Sequence, residues 1–134
     1  MNLLPLRLLP GADLRRALEA ALAADGASAA FVVAGIGSLA DAPLRLAGAG
    51  EARVIAGASE LLTLSGSVGA DASHLHATLA DATGRVWGGH VGYGCRVRTT
   101  AEILLARLSE WQFSRTFDPR TGFAELEIAR KPLA

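Results

Sequence analysis

Apolar residues along this chain follow two rhythms. After an opening NLLPLRLL (residues 2–9) that suits a strand, Leu14, Ala17, Leu18, Ala21 and Leu22 recur at the i, i+3, i+4 spacing of an amphipathic helix. Asp13 is placed to cap its first turn and Gly26 to stop it. From there the rhythm shortens. Strand-length runs AAFVVAG, PLRLAG, ELLTLSGSV, HLHATLA and VWGGHVGYG alternate with turn signals at Gly37, Gly48-Ala49-Gly50, Gly57, Gly69, Gly84 and Gly94. One early helix followed by many short strands predicts an α+β fold on a mostly antiparallel sheet, with residues 1–134 as one domain. One segment runs against this. AEILLARLSEW (residues 101–111) places Ile103, Leu104, Arg107, Leu108 and Trp111 at helical spacing behind Thr100 as a cap, and periodicity alone predicts a second helix there.

Composition narrows the function classes. Thirteen basic and thirteen acidic residues cancel, so no global field draws the chain to nucleic acid or an anionic membrane. A single cysteine, Cys95, excludes an internal disulfide and suits a reducing cytoplasm. Pro5, Arg7 and Pro10 interrupt the apolar start, so no signal peptide is expected, and ASAAFVVAGIG is too short to span a bilayer. The expectation is a soluble cytoplasmic protein.

Gly35-Ile36-Gly37-Ser38-Leu39-Ala40 fits GxGxxA after a strand-like run, as a dinucleotide-binding turn would. That chemistry needs a helix N-terminus for the pyrophosphate, and Pro43 and Gly48 break any helix that starts there. A tight strand-to-strand turn is the simpler expectation.

All three histidines fall between residues 74 and 90. Asp81-Ala82-Thr83-Gly84 reads as a type I turn closed by a left-handed glycine, a three-residue hairpin loop. In that register Asp81 pairs with Arg85 and His76 lies opposite His90, while His74, two residues earlier, shares the face. Opposed Cβ atoms sit about 5 Å apart and diagonal ones about 7 Å, so the imidazoles can converge on one ion about 2.0–2.1 Å from each nitrogen. His74, on the diagonal, is expected to matter least. Gly88 and Gly89 leave room beside His90, and Cys95 has the wrong parity to join. A three-histidine site keeps an open coordination position, which a metal-dependent reaction needs. Zinc suits it best, although nickel, copper or iron could occupy it, and occupancy should fall as pH drops through about 6. A polar groove without metal fits the same spacing.

Other polar candidates carry less. Ser65-Gly66-Ser67 lacks the order of a nucleophile elbow, Asp118-Pro119-Arg120-Thr121-Gly122 reads as a turn, and Trp87 is expected to pack. Arg96 and Arg98 share one strand face, with Arg85 and Arg115 as candidate neighbours for a ligand or partner.

Several motifs carry a resemblance. SELLTLSG, HLHATLAD, GGHVGYG, TTAEILL and FSRTFDPRTGFAEL, with GIGSL and GADLRRAL, resemble in order the plant and prokaryote conserved (PPC) domain. The resemblance implies an antiparallel α+β fold, a homotrimer, and a strand rather than a helix at TTAEILLARL. Some prokaryotic members are thought to hold a metal at the HxH and GGH motifs, matched here by His74, His76 and His90. The plant partner-binding motif GRFEIL corresponds to residues 57–62, where Gly57, Glu60 and Leu62 agree, making Glu60 a candidate partner contact. Plant members carry an AT-hook for DNA, and no Arg-Gly-Arg-Pro hook occurs here. Three classes of function follow. One is a DNA-associated or regulatory interaction module, with DNA binding at most weak. Another is a metal-dependent enzyme with Glu60, Asp71 or Glu102 as base. The third is a small-ligand binder.

Overall fold

The computed structural model describes residues 2–69 and 73–132. Strand β1 (Asn2–Leu8) leads to helix α1 (Leu14–Ala24), then to two long strands, β2 (Ala29–Arg45) and β3 (Arg53–Gly69). Five strands follow: β4 (His74–Asp81), β5 (Val86–Val91) and β6 (Arg96–Arg107) in the main sheet and, in a separate hairpin, β7 (Trp111–Asp118) with β8 (Phe123–Arg130). The fold is α+β and its strand pairings are antiparallel, as expected.

Helix α1 begins as its sequence dictates. Asp13 is extended (φ −76°, ψ 118°) and its carboxylate accepts the Arg16 N–H, satisfying one of the unpaired donors of the first turn. Gly26 follows the helix at φ 72°, in the left-handed region that a glycine enters without strain. Leu14, Leu18 and Leu22 are fully buried against the sheet. Burial of each contributes about 1.5–3 kcal/mol, so this short helix is held by packing rather than by propensity.

The main sheet runs β1-β6-β2-β3-β4-β5. At its far end β5 turns back onto β2, pairing Leu44 with Val91 and Arg45 with His90, so β2, β3, β4 and β5 form a closed ring. Closure removes an exposed edge.

Two expectations are corrected. Residues 101–107 belong to β6, not to a helix. Ala101, Ile103 and Leu105 are buried while Glu102 is exposed, so the period of two prevails. The reason is tertiary: β6 lies between β1 and β2, where Leu104 pairs with both Pro5 and Ala34, and a helix would leave β1 and the facing edge of β2 without hydrogen-bond partners. Gly35 and Gly37 do not turn the chain either. They lie inside β2, where an added Cβ at Gly35 would sit 2.8 Å from Ile103 Cδ1, and one at Gly37 would sit 2.6 Å from the Thr100 carbonyl. These glycines permit close strand approach. Gly57 likewise lies within β3 rather than between strands. Its N–H donates to the Asp41 carboxylate at 2.7 Å, across a bulge where Asp41 itself has φ 46°. The expected short runs therefore merge into two strands of 17 residues each.

No helix among the described residues is long and apolar enough to cross a membrane.

Candidate metal centre

The histidines are positioned by a plain alternation. In β4, Leu75, Ala77 and Leu79 are buried, which leaves His74 and His76 on the outer face. The turn forms as its residues require: Asp81 N–H donates to the Arg85 carbonyl at 2.9 Å, Gly84 N–H to the Asp81 carbonyl at 2.9 Å, and Gly84 has φ 82°. The Asp81 carboxylate also accepts from Thr83 and from the Trp87 indole, bonds that hold its pKa down at about 2. With the turn set, His76 pairs directly with His90, the predicted register.

All three histidines offer a ring nitrogen, and these donor atoms lie within 4.8 Å of one another. The Nε2 atoms of His74 and His76 are 3.1 Å apart. Two nitrogens on one tetrahedral ion would be separated by about 3.3 Å, so the pair is already close to ligand spacing. His90 Nδ1 is buried and lacks a hydrogen-bond partner among the described residues. An unpaired buried nitrogen is costly, and a cation is one group that satisfies it. The donor set therefore fits a divalent ion. The order of proximity differs from the sequence-based expectation. Ring centroids are 4.9 Å apart for His74–His76, 5.2 Å for His74–His90 and 5.8 Å for the directly opposed His76–His90. His74 is therefore no distant third.

Electrostatics keep the imidazoles available. Burial, and then the charge of Arg45, lower the His90 pKa to about 4. The His74 pKa is lowered by burial, then by His76 and Arg115, against an opposing pull from Glu125. Neutral imidazole is the ligating form.

The histidines open into a cleft of about 330 Å³ whose other walls are Arg45, the 46–48 loop, Gly88 and Gly89. Arg45 was not foreseen. No local pattern marks it, and only the β2–β5 seam brings it beside His90. Glu19 was also missed: its carboxylate accepts the Ser73 N–H at 3.1 Å, the Tyr93 hydroxyl at 3.0 Å and Arg15 Nε at 3.2 Å, fixing the backbone that precedes His74.

The remaining candidates lie elsewhere. Glu60, Arg98 and Glu102 line a separate cleft of about 530 Å³ with Ser38, so neither glutamate is placed to act as base at the histidines. Arg96 donates to the Gly11 carbonyl at 3.2 Å, and Arg85 stacks on Trp87, 4.2 Å from the ring centre. Asp71 lies outside the described residues. Cys95 is buried, and burial pushes its thiol up to about 12, so it stays protonated at neutral pH, and it does not line the histidine cleft.

Residues 1–109 match the Plants and Prokaryotes Conserved (PCC) domain. The chain belongs to this family. A curated relative, the bifunctional protein GlmU of Synechococcus sp. (strain JA-3-3Ab), is 48% identical over 130 residues, which is 97% of this chain and 21% of the relative. The PCC chain thus spans about a fifth of the length of the curated relatives it matches. A hypothetical protein from Salmonella superposes with a TM-score of 0.93 at 34% identity, covering 98% of this chain and 95% of the other. A metal-containing protein from Archaeoglobus fulgidus gives a TM-score of 0.77 at 29% identity, over 93% and 92% of the two chains. A structure from Bacteroides thetaiotaomicron, provisionally named as DNA-binding, gives 0.81 at 20% identity over 94% and 91%, a likeness of fold alone.

Proposed function

We propose that this PCC domain is a metal-bearing binding and regulatory module, in which His74, His76 and His90 hold one divalent ion, zinc before nickel, copper or iron. The observation that carries the reading is the convergence of three histidine nitrogens within 4.8 Å on one strand pair. The Archaeoglobus relative, a metal-containing protein, supports it. Zinc is favoured because it accepts three nitrogen ligands without imposing a geometry, and it keeps a further position for a ligand. The occurrence of a close relative as a fifth of a larger bifunctional protein supports an accessory binding role.

We further propose that residues 1–134 act as one unit in a cytoplasmic homotrimer. Phe113 of β7 is buried and packs edge-on against Phe31 of β2 at 5.5 Å, which supports one unit. Exposed Phe31, Val33 and Ile36 on the sheet, and Phe117, Phe123 and Ile128 on the hairpin, support a covered face in the assembly. The lone buried Cys95 supports a reducing compartment. Balanced charge supports at most weak DNA contact that vanishes near physiological salt.

Elemental analysis of protein purified without chelator or nickel affinity should return close to one ion per protomer. Calorimetric titration should show each single alanine variant at His74, His76 and His90 losing affinity to a similar degree, since the three rings are nearly equidistant. Unchanged affinity in all three variants would remove the metal reading and leave a polar groove. A monomer mass by light scattering at micromolar concentration would remove the trimer.

A further inference from the structure

Two adjacent glycines on β5 have different tasks. An added Cβ at Gly89 would lie 2.8 Å from the Arg45 carbonyl, so this glycine allows the seam with β2 to close. At Gly88 an added Cβ meets nothing nearer than the Ala77 carbonyl at 3.7 Å. Packing therefore does not require a glycine there. Gly88 shares the parity of His90 and lines the histidine cleft, so its missing side chain widens the cleft.

The charges around that space are unbalanced. Ion pairs among the described residues are Arg15–Glu19, Arg107–Asp25 and Arg120–Asp118, which leave out both Arg45 and Arg115. Arg45 is exposed at the cleft wall, and Arg115 reaches the Ser67 hydroxyl at 3.5 Å. Both raise the positive potential at the imidazoles, and among the described groups that act on His74 only Glu125 opposes it. A dication held by three neutral imidazoles adds two positive charges and cancels none. A guanidinium fork beside an open metal position matches one kind of ligand, a group with several oxygens sharing negative charge. A cleft of about 330 Å³ limits its size to a small metabolite or the head of a larger one.

We propose that the cleft binds a small oxyanion, a carboxylate or phosphate group, held between the histidine-bound ion and Arg45 over the space left by Gly88. This rests on the metal reading above and adds the ligand class.

Cobalt-loaded protein tests it through visible absorption, which reports the ligands around the ion without any turnover. Titration with inorganic phosphate and, separately, with acetate should shift the cobalt bands in the native protein. A shift with one anion alone identifies the source, and a shift with both supports the shared chemistry. Arg45→Met, at an exposed position, should weaken the anion midpoint roughly tenfold or more, the worth of one charge-assisted contact, with cobalt stoichiometry unchanged. Gly88→Val should block the shift while cobalt still binds. Equal midpoints in the native and Arg45→Met proteins, or no shift with either anion, would overturn the oxyanion site and leave the metal site standing. Failure of His76→Ala to lose cobalt would instead show the ion bound elsewhere, and both readings would fall.

Discussion

Asp81-Ala82-Thr83-Gly84 turns β4 into β5, and Asp118-Pro119-Arg120-Thr121-Gly122 turns β7 into β8. The devices match. Asp81 accepts the Thr83 N–H and Asp118 the Arg120 N–H, each at 2.9 Å, and each turn ends on a left-handed glycine, with φ 82° and 79°. The outcomes differ. The first hairpin buries Leu75, Ala77, Leu79 and Val91 in the main core, while the second buries Phe113 and leaves Phe117 and Phe123 each 66% exposed. Turn chemistry sets a hairpin's register, but alternation against a second layer decides whether the hairpin can hold side chains rigidly enough to make a site.

The strongest way to break this contrast is to truncate one apolar side chain in each hairpin. Leu79→Ala, at a fully buried position, should cost about 2–5 kcal/mol in denaturant unfolding. Phe123→Ala should change subunit stability by less than about 0.5 kcal/mol, while lowering the fraction of the proposed trimer in light scattering. Comparable losses of subunit stability would mean that the second hairpin is as much part of the core as the first.

Acid should separate the hairpins next. His90 has a pKa of about 4 in the folded chain against an ordinary 6.5. The unfolded chain therefore takes up the proton first, and stability that is complete above 6.5 is lost as pH falls toward 4. Metal-free protein should show this decline in melting temperature, and His90→Gln should flatten it. An unaltered pH profile in His90→Gln would assign the acid response to other groups.

The smallest effect concerns the turn glycines. Alanine at either must hold a positive φ, at about 1–2 kcal/mol. Gly84→Ala should pass that cost to global stability and weaken the proposed metal site, because register and site share the turn. Gly122→Ala should leave the unfolding midpoint nearly unmoved. Equal shifts in the two variants would contradict the hierarchy.

Much of this was readable in the residues. Asp13, Gly26 and the Asp81–Gly84 turn declare themselves because each acts on neighbours within a few positions. The three histidines were readable for the same reason: one local register places them. What failed was non-local. Residues 101–107 carry a helical rhythm that two flanking strands override, Gly35 and Gly37 look like turns until the strands they admit are in place, and Gly57 serves a bulge inside β3 rather than a turn between strands. Arg45 had no local signal at all, and the family resemblance, which corrected the helix, was silent on it.

His74, His76 and His90 meet as soon as one tight hairpin forms, an event of about 1–10 μs. Arg45 reaches them only when the ring closes across the chain from residue 45 to residue 90, a late, long-range contact. Imidazoles gathered so locally can capture an ion before the rest of the chain is folded, and an ion that also binds the unfolded chain loses leverage over stability. An anion that needs Arg45 recognises only the finished ring. The two proposed ligands of one cleft would therefore respond to different moments in the folding of the chain.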